Sequence, residues 1–109
     1  TGTTPRYFRP PYGRVTDDVL AAVPMPVILW NLDPLDWQDH DADLVAARMK
    51  EAAAGAILLA HDIYSTTVKA IPAVLDSLTA RGIYFVTVTE LLAPTVPLPG
   101  HVYGHRAAK

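Results

Sequence analysis

Four short apolar runs, 4–9, 26–32, 56–60 and 83–88, alternate along the chain with stretches of helical periodicity. That alternation is the pattern of successive parallel strands covered by crossover helices. Val27, Ile28, Leu29 and Trp30 in the second run, and Ile57, Leu58 and Leu59 in the third, are continuously apolar. Strands buried on both faces require this, whereas a half-exposed strand alternates. The expected fold class is α/β, with about four parallel strands.

The helices between the runs carry their own signals. Thr16 is placed to cap a short helix reaching about Val23, with Asp17 and Asp18 at the positive end of its dipole. A second helix is expected from near Asp41, with Val45, Met49 and Ala52 on one face and Gly55 as its C-cap. In the third, Val68, Ile71, Leu75 and Leu78 recur at helical spacing before Arg81 and Gly82, and Pro72 is expected to kink or restart it. A brief helix from Thr89, with Glu90 in its first turn, precedes Pro94, Pro97 and Pro99. Residues 94–109 are therefore expected as a Pro-rich tail or surface strap, and residues 1–93 as the folded part. There is no internal repeat.

Composition narrows the function classes. The 109 residues suffice for one core, half are hydrophobic and 18% are charged, which argues against disorder. Nine basic and eleven acidic side chains leave a net charge of −2. No cationic field is present to attract a phosphate backbone, so nucleic acid is not an expected partner. The longest apolar run, 19–30, is broken by Pro24 and Pro26 and is shorter than the roughly 20 residues a membrane span needs. Cysteine is absent, which excludes disulfides and thiolate metal sites within the chain. Thr1 in place of Met reads as a processed or cut end, so an export signal could precede it.

Ligands of α/β proteins bind beyond the carboxyl ends of the parallel strands. Here those positions hold Arg9, Pro10, Pro11, Tyr12 and Gly13 after the first run, Asp33, Asp36 and Trp37 after the second, and His61 and Asp62 after the third. A histidine held by a carboxylate can act as a general acid or base, and Asp62 is its nearest sequence neighbour; a loop-capping structural histidine is the competing reading. Arg9, made rigid by two prolines, suits a bidentate grip on a carboxylate, or equally a structural salt bridge to Asp36 or Asp62. Tyr12 and Gly13 can bring a backbone N–H to an oxyanion. Trp37 reads as a sugar-stacking wall or, more commonly for a tryptophan, as core. Asp39, His40, Asp41 and Asp43 are contiguous, which suits a solvated helix start better than a metal site. His101 and His105 carry no assigned role. No Gly-rich phosphate loop, serine elbow or zincin motif occurs.

Taken together, Phe8-Arg9-Pro10-Pro11-Tyr12-Gly13, the stretch from Trp30 through Asp33 and Asp36 to Trp37, and Leu59-Ala60-His61-Asp62 resemble, in order, the third, fourth and fifth motifs of the polysaccharide deacetylases. These are the NodB-like carbohydrate esterases of family 4. The resemblance runs on through Leu75, Leu78, Arg81, Gly82 and 85–88. It implies the C-terminal portion of a distorted (β/α) barrel that deacetylates N-acetylglucosamine polymers or acetylated xylan with a divalent metal, zinc in the first instance. By the resemblance His61 is the general acid, Asp33 orients it, Arg9 holds the catalytic base and Asp36 supports Arg9 or the rim. Pro11 and Tyr12 form the oxyanion side, while Trp37 and Leu59 line the groove. The first two motifs, which supply the base and the metal ligands, have no counterpart; Asp17 and Asp18 come too late in the order. The metal ligands, and a partner carrying them, are therefore expected in an N-terminal portion of the same protein. Tyr64 replaces a second histidine of the fifth motif. The implied setting is secreted or at the cell envelope. Two rivals remain: a non-catalytic carbohydrate-binding or scaffolding fragment without metal, and a complete four-stranded flavodoxin-like binding domain.

Overall fold

The computed structural model describes residues 2–106, so Thr1 and the last three residues of the tail, 107–109, with the expectations placed on them, lie outside it. The element order is α1 (Asp17–Ala22), β1 (Val27–Ile28), α2 (Ala42–Met49), α3 (Ser65–Ala80), α4 (Val88–Leu92) and β2 (Val102–Tyr103). Three of the four apolar runs join in parallel. Phe8 bridges Val27, and Leu32 bridges Leu58. The bonds are short: the Ile28 N–H donates to Phe8 O at 2.8 Å, and the Leu59 N–H to Leu32 O at 3.0 Å. Between the second and third runs the Asn31 side chain enters the ladder, its Oδ1 accepting the Ile57 N–H at 2.9 Å.

The fourth run differs from expectation. Residues 83–87 form no strand among the described residues, because the ends of the run serve helix termini instead. The Ile83 N–H donates to Leu78 O, closing α3, and the Thr87 N–H donates to Glu90 Oε1 in the capping box of α4. The strand position beside β1 is taken from the tail: Val102 and Tyr103 pair in parallel with Val27 and Ile28. Further on, the Arg106 N–H donates to Gly55 O at 2.8 Å. Gly55, at φ +88°, turns the chain into the third run rather than capping α2, which ends at Met49 with Lys50 as its cap.

The core lies where α2 packs on α3. Val45, Ala46, Met49 and Ala52 meet Ala70, Val74 and Leu78, with Leu32, Leu58 and Ala60 of the strands against them. The buried stripe of α3 is Thr67, Ala70, Val74 and Leu78, one position away from the expected face over most of its length. Small residues at 67 and 70 let α3 approach closely, which leaves Val68 and Leu75 exposed on the flank. Pro72 does not interrupt the helix. It sits on the exposed side, where the carbonyl of exposed Val68 that its missing N–H leaves unbonded can be hydrated.

Candidate active site

The site is built at the carboxyl ends of the three paired runs. After the first, Pro10 leads into a single 3-10 turn, Pro11–Gly13, in which Tyr12 has φ 58° and Gly13 φ 65°. Two successive left-handed residues reverse the chain sharply. Gly13 is required here by contact as well, since a Cβ would meet Trp30 Cη2 at 3.0 Å. The turn's own bonds, from Gly13 N to Pro10 O and from Arg14 N to Pro11 O, leave the Tyr12 N–H outside them.

After the second run, residues 33–39 form a compact turn. Asp33 Oδ1 accepts the Leu35 N–H at 2.9 Å, and Leu35 adopts φ 56°. For a leucine this left-handed conformation costs on the order of 1–2 kcal/mol, which the surrounding bonds must offset. Its effect is to send Asp33 and Asp36 in different directions. Asp33 stays on the surface side, where Oδ2 accepts from the Trp37 indole at 3.5 Å. Asp36 turns inward and has no exposed surface.

After the third run, His61 meets Asp36. The His61 Nδ1 lies 2.8 Å from Asp36 Oδ1, and the His61 N–H donates to Asp36 Oδ2, also at 2.8 Å. Thr67, from the first turn of α3, donates its hydroxyl to Asp36 Oδ2 at 2.8 Å. Burial pushes this carboxyl up, but the bonds from the His61 ring and backbone and from Thr67, with the charge of His61, prevail and hold it below its ordinary value. With Nδ1 engaged, Nε2 is the ring atom left for chemistry.

Two expectations are thus corrected. The carboxylate behind His61 is Asp36, neither Asp62, which is exposed, nor Asp33. Asp36 does not support Arg9, because the turn buries it behind the imidazole. Arg9 likewise forms no salt bridge to Asp36 or Asp62 among the described residues; it is exposed beside the cavity. Thr67 was not singled out from sequence. Its signal was a polar residue at helical spacing with Ala70, Val74 and Leu78 on the buried stripe.

A cavity of about 690 Å³ opens in front of His61. Arg9 to Tyr12 form one side, Trp30, Asp33 and Trp37 a second, and Leu59 and Tyr64 the remainder. Its volume falls in the range of small-ligand clefts. Trp37 is 48% exposed, so it is a wall of this cavity and not core. The Tyr64 ring stands edge-on to His61, with centroids 6.0 Å apart, and against His40 at 4.8 Å. Asp41 caps α2 and Asp39 pairs with Arg48, as suits a helix start. Among the described residues no group of three or more His, Asp or Glu side chains could hold a metal ion. The residues present do not fit a metal site by themselves.

Parallel strands that present, at their carboxyl ends, an imidazole backed by a buried carboxylate define an α/β protein whose rim can carry acid–base chemistry. Comparison with known proteins makes this specific. No protein-family model matches the chain. The peptidoglycan-N-acetylmuramic acid deacetylase PdaC of Bacillus subtilis is 38% identical over 92 residues, covering 84% of this chain and 20% of that protein. Among solved structures, the T48 deacetylase with substrate superposes with a TM-score of 0.87 at 38% identity, covering 94% of this chain and 52% of that one. A family 4 acetyl xylan esterase from Clostridium thermocellum, in complex with a cobalt ion, gives 0.86 at 29% identity, covering 95% and 55%. The chain belongs to the polysaccharide deacetylase family, the family 4 carbohydrate esterases, and matches a portion of that family's distorted (β/α) barrel. It spans a fifth of the length of the curated relative and about half of the solved chains.

Proposed function

We propose that this chain supplies the general-acid part of a hydrolytic site that removes acetyl groups from a polysaccharide, either an N-acetylglucosamine polymer or acetylated xylan. The observation that carries the reading is His61, backed by the buried Asp36, facing the cavity. Water adds to the acetyl carbonyl, its proton passing to a carboxylate base, and gives a tetrahedral oxyanion. As that species collapses, its bond to the sugar nitrogen or oxygen breaks, and the leaving atom takes a proton from His61 Nε2. Asp36 fixes the ring for this transfer and balances the imidazolium before it. The Tyr12 N–H, exposed at the turn, is the donor for the developing oxyanion. Trp37, Leu59 and Pro11 line the groove for the sugar and the acetyl methyl. Arg9, with its guanidinium at the cavity edge, is placed to hold the carboxylate of a base.

The base and the ligands of the divalent metal, zinc by family resemblance, are not found among the described residues, and no step above runs through the metal. We assign them to an N-terminal portion of the same protein. The unpaired run 83–87 and the apolar groove beside it, where Leu75, Ile83 and Phe85 are found, support such a partner. In this reading residues 1–93 are the NodB-like portion and 94–109 the Pro-rich tail, of which Val102 and Tyr103 pair with β1. A wall or plant polysaccharide as substrate places the protein outside the cell or at its envelope. No helix among the described residues is long and apolar enough to cross a membrane.

Retention of the buried Asp36 behind His61 favours catalysis over a binding relic, which needs no imidazole backed by a carboxylate. The test is acetate release from acetylated chitooligosaccharide and xylan by the complete protein. His61→Ala is expected to slow turnover about 10²-fold or more, the scale of a lost general acid. Unchanged turnover on saturating substrate would refute the assignment.

A further inference from the structure

We infer that Arg48 is a positioning residue of the Asp36–His61 pair, acting as a clamp on the turn that delivers Asp36. The inference rests on the reading of His61 as the acid and adds a residue that touches neither the substrate cavity nor the imidazole. From the last turn of α2, the single nitrogen Nη1 of Arg48 donates to Pro34 O at 3.1 Å and to Asp39 Oδ2 at 2.7 Å. Those two anchors bracket Asp36, two residues before it and three after.

Between the anchors lies the left-handed Leu35, whose carbonyl accepts the N–H groups of Gln38 at 3.0 Å and Asp39 at 2.9 Å. A leucine held in that conformation relaxes unless its flanks are fixed, and relaxation would swing Asp36 out of its buried position. Arg48 supplies the outer fixing. It also does so from the right element, because α2 packs on α3, and α3 carries the Thr67 hydroxyl that binds Asp36. Backbone and carboxylate of Asp36 are thus both referenced to one packed helix pair. The Arg48 and Asp39 side chains are each 30% exposed, and ion pairs of that kind contribute little to stability, so the consequence of the clamp is geometric.

The experiment is Arg48→Gln, Arg48→Lys and Asp39→Asn in the complete protein, read by kinetics and by the NMR signal of the proton between His61 Nδ1 and Asp36. Arg48→Gln should lower kcat about tenfold with KM within about twofold, inside the up to ~10² that displacing a catalytic group costs. It should also broaden or remove the proton signal. Arg48→Lys, which retains the charge and a donor, should recover most of both, and Asp39→Asn should fall between. If Arg48→Lys and Arg48→Gln both fold and both keep kcat and the signal, Arg48 is only a surface ion pair and the inference is overturned. A wild-type protein with the proton signal but no acetate release would instead sink the deacetylase reading, while loss or retention of the signal in Arg48→Gln would still decide the clamp.

Discussion

A carboxylate with no exposed surface is stable as an anion only if its partners replace the water it has lost, and Asp36 accepts three hydrogen bonds from two residues. Because these lower its pKa in the folded state, the stability it contributes is fully present above the unfolded value near ~4 and is lost as pH falls through the folded one. Thr67→Val should therefore destabilise at neutral pH by about 1.5–3 kcal/mol, the range for a hydrogen bond to a charged group. That deficit should shrink as the buffer is taken below pH 5 and the Asp36 carboxylate takes up its proton. Parallel melting-temperature curves over that range would show that Thr67 does not bind the charged form. The positions of His61, Tyr12 and Trp37 at the rim were legible from the ends of the apolar runs. Which aspartate backs His61 was not, because the choice is made by one backbone dihedral at Leu35, a residue whose side chain gives no hint of a left-handed conformation.

Helix α3 illustrates what periodicity can and cannot fix. Its existence, its end near Arg81 and Gly82, and the burial of Leu78 follow from the spacing of apolar residues. Its orientation does not, since two adjacent stripes are both apolar enough to face a core, and the one with small residues wins by allowing closer approach to α2. The consequence is a contrast between two leucines three residues apart. Leu78 is 2% exposed and Leu75 is 41% exposed. Leu78→Ala is expected to cost about 2–5 kcal/mol and Leu75→Ala less than half as much, measured by denaturant unfolding. Equal costs would mean that the helix presents the other stripe. The tail was likewise half legible: its prolines marked the end of helix, but the pairing of Val102 and Tyr103 with β1 is a long-range contact that no local pattern encodes.

At the scale of the whole molecule, the chain sets one packed helix pair behind a single imidazole. Leu58 and Leu59 end in His61, the turn after Leu32 delivers Asp36, and α3 supplies Thr67, so three separate segments fix one imidazole. The cavity in front of it is walled by residues at the carboxyl ends of the three paired runs. If this architecture serves proton donation, Asp36 has no catalytic effect apart from His61. The most direct test is a double-mutant cycle on acetate release by the complete protein with His61→Ala, Asp36→Asn and the pair combined. Residues that act as a unit are strongly non-additive, so the double variant should be no slower than His61→Ala alone, within about threefold. A double variant slowed by the product of the two single effects would mean that Asp36 and His61 act independently, and would contradict the assignment of the pair as the acid of this site.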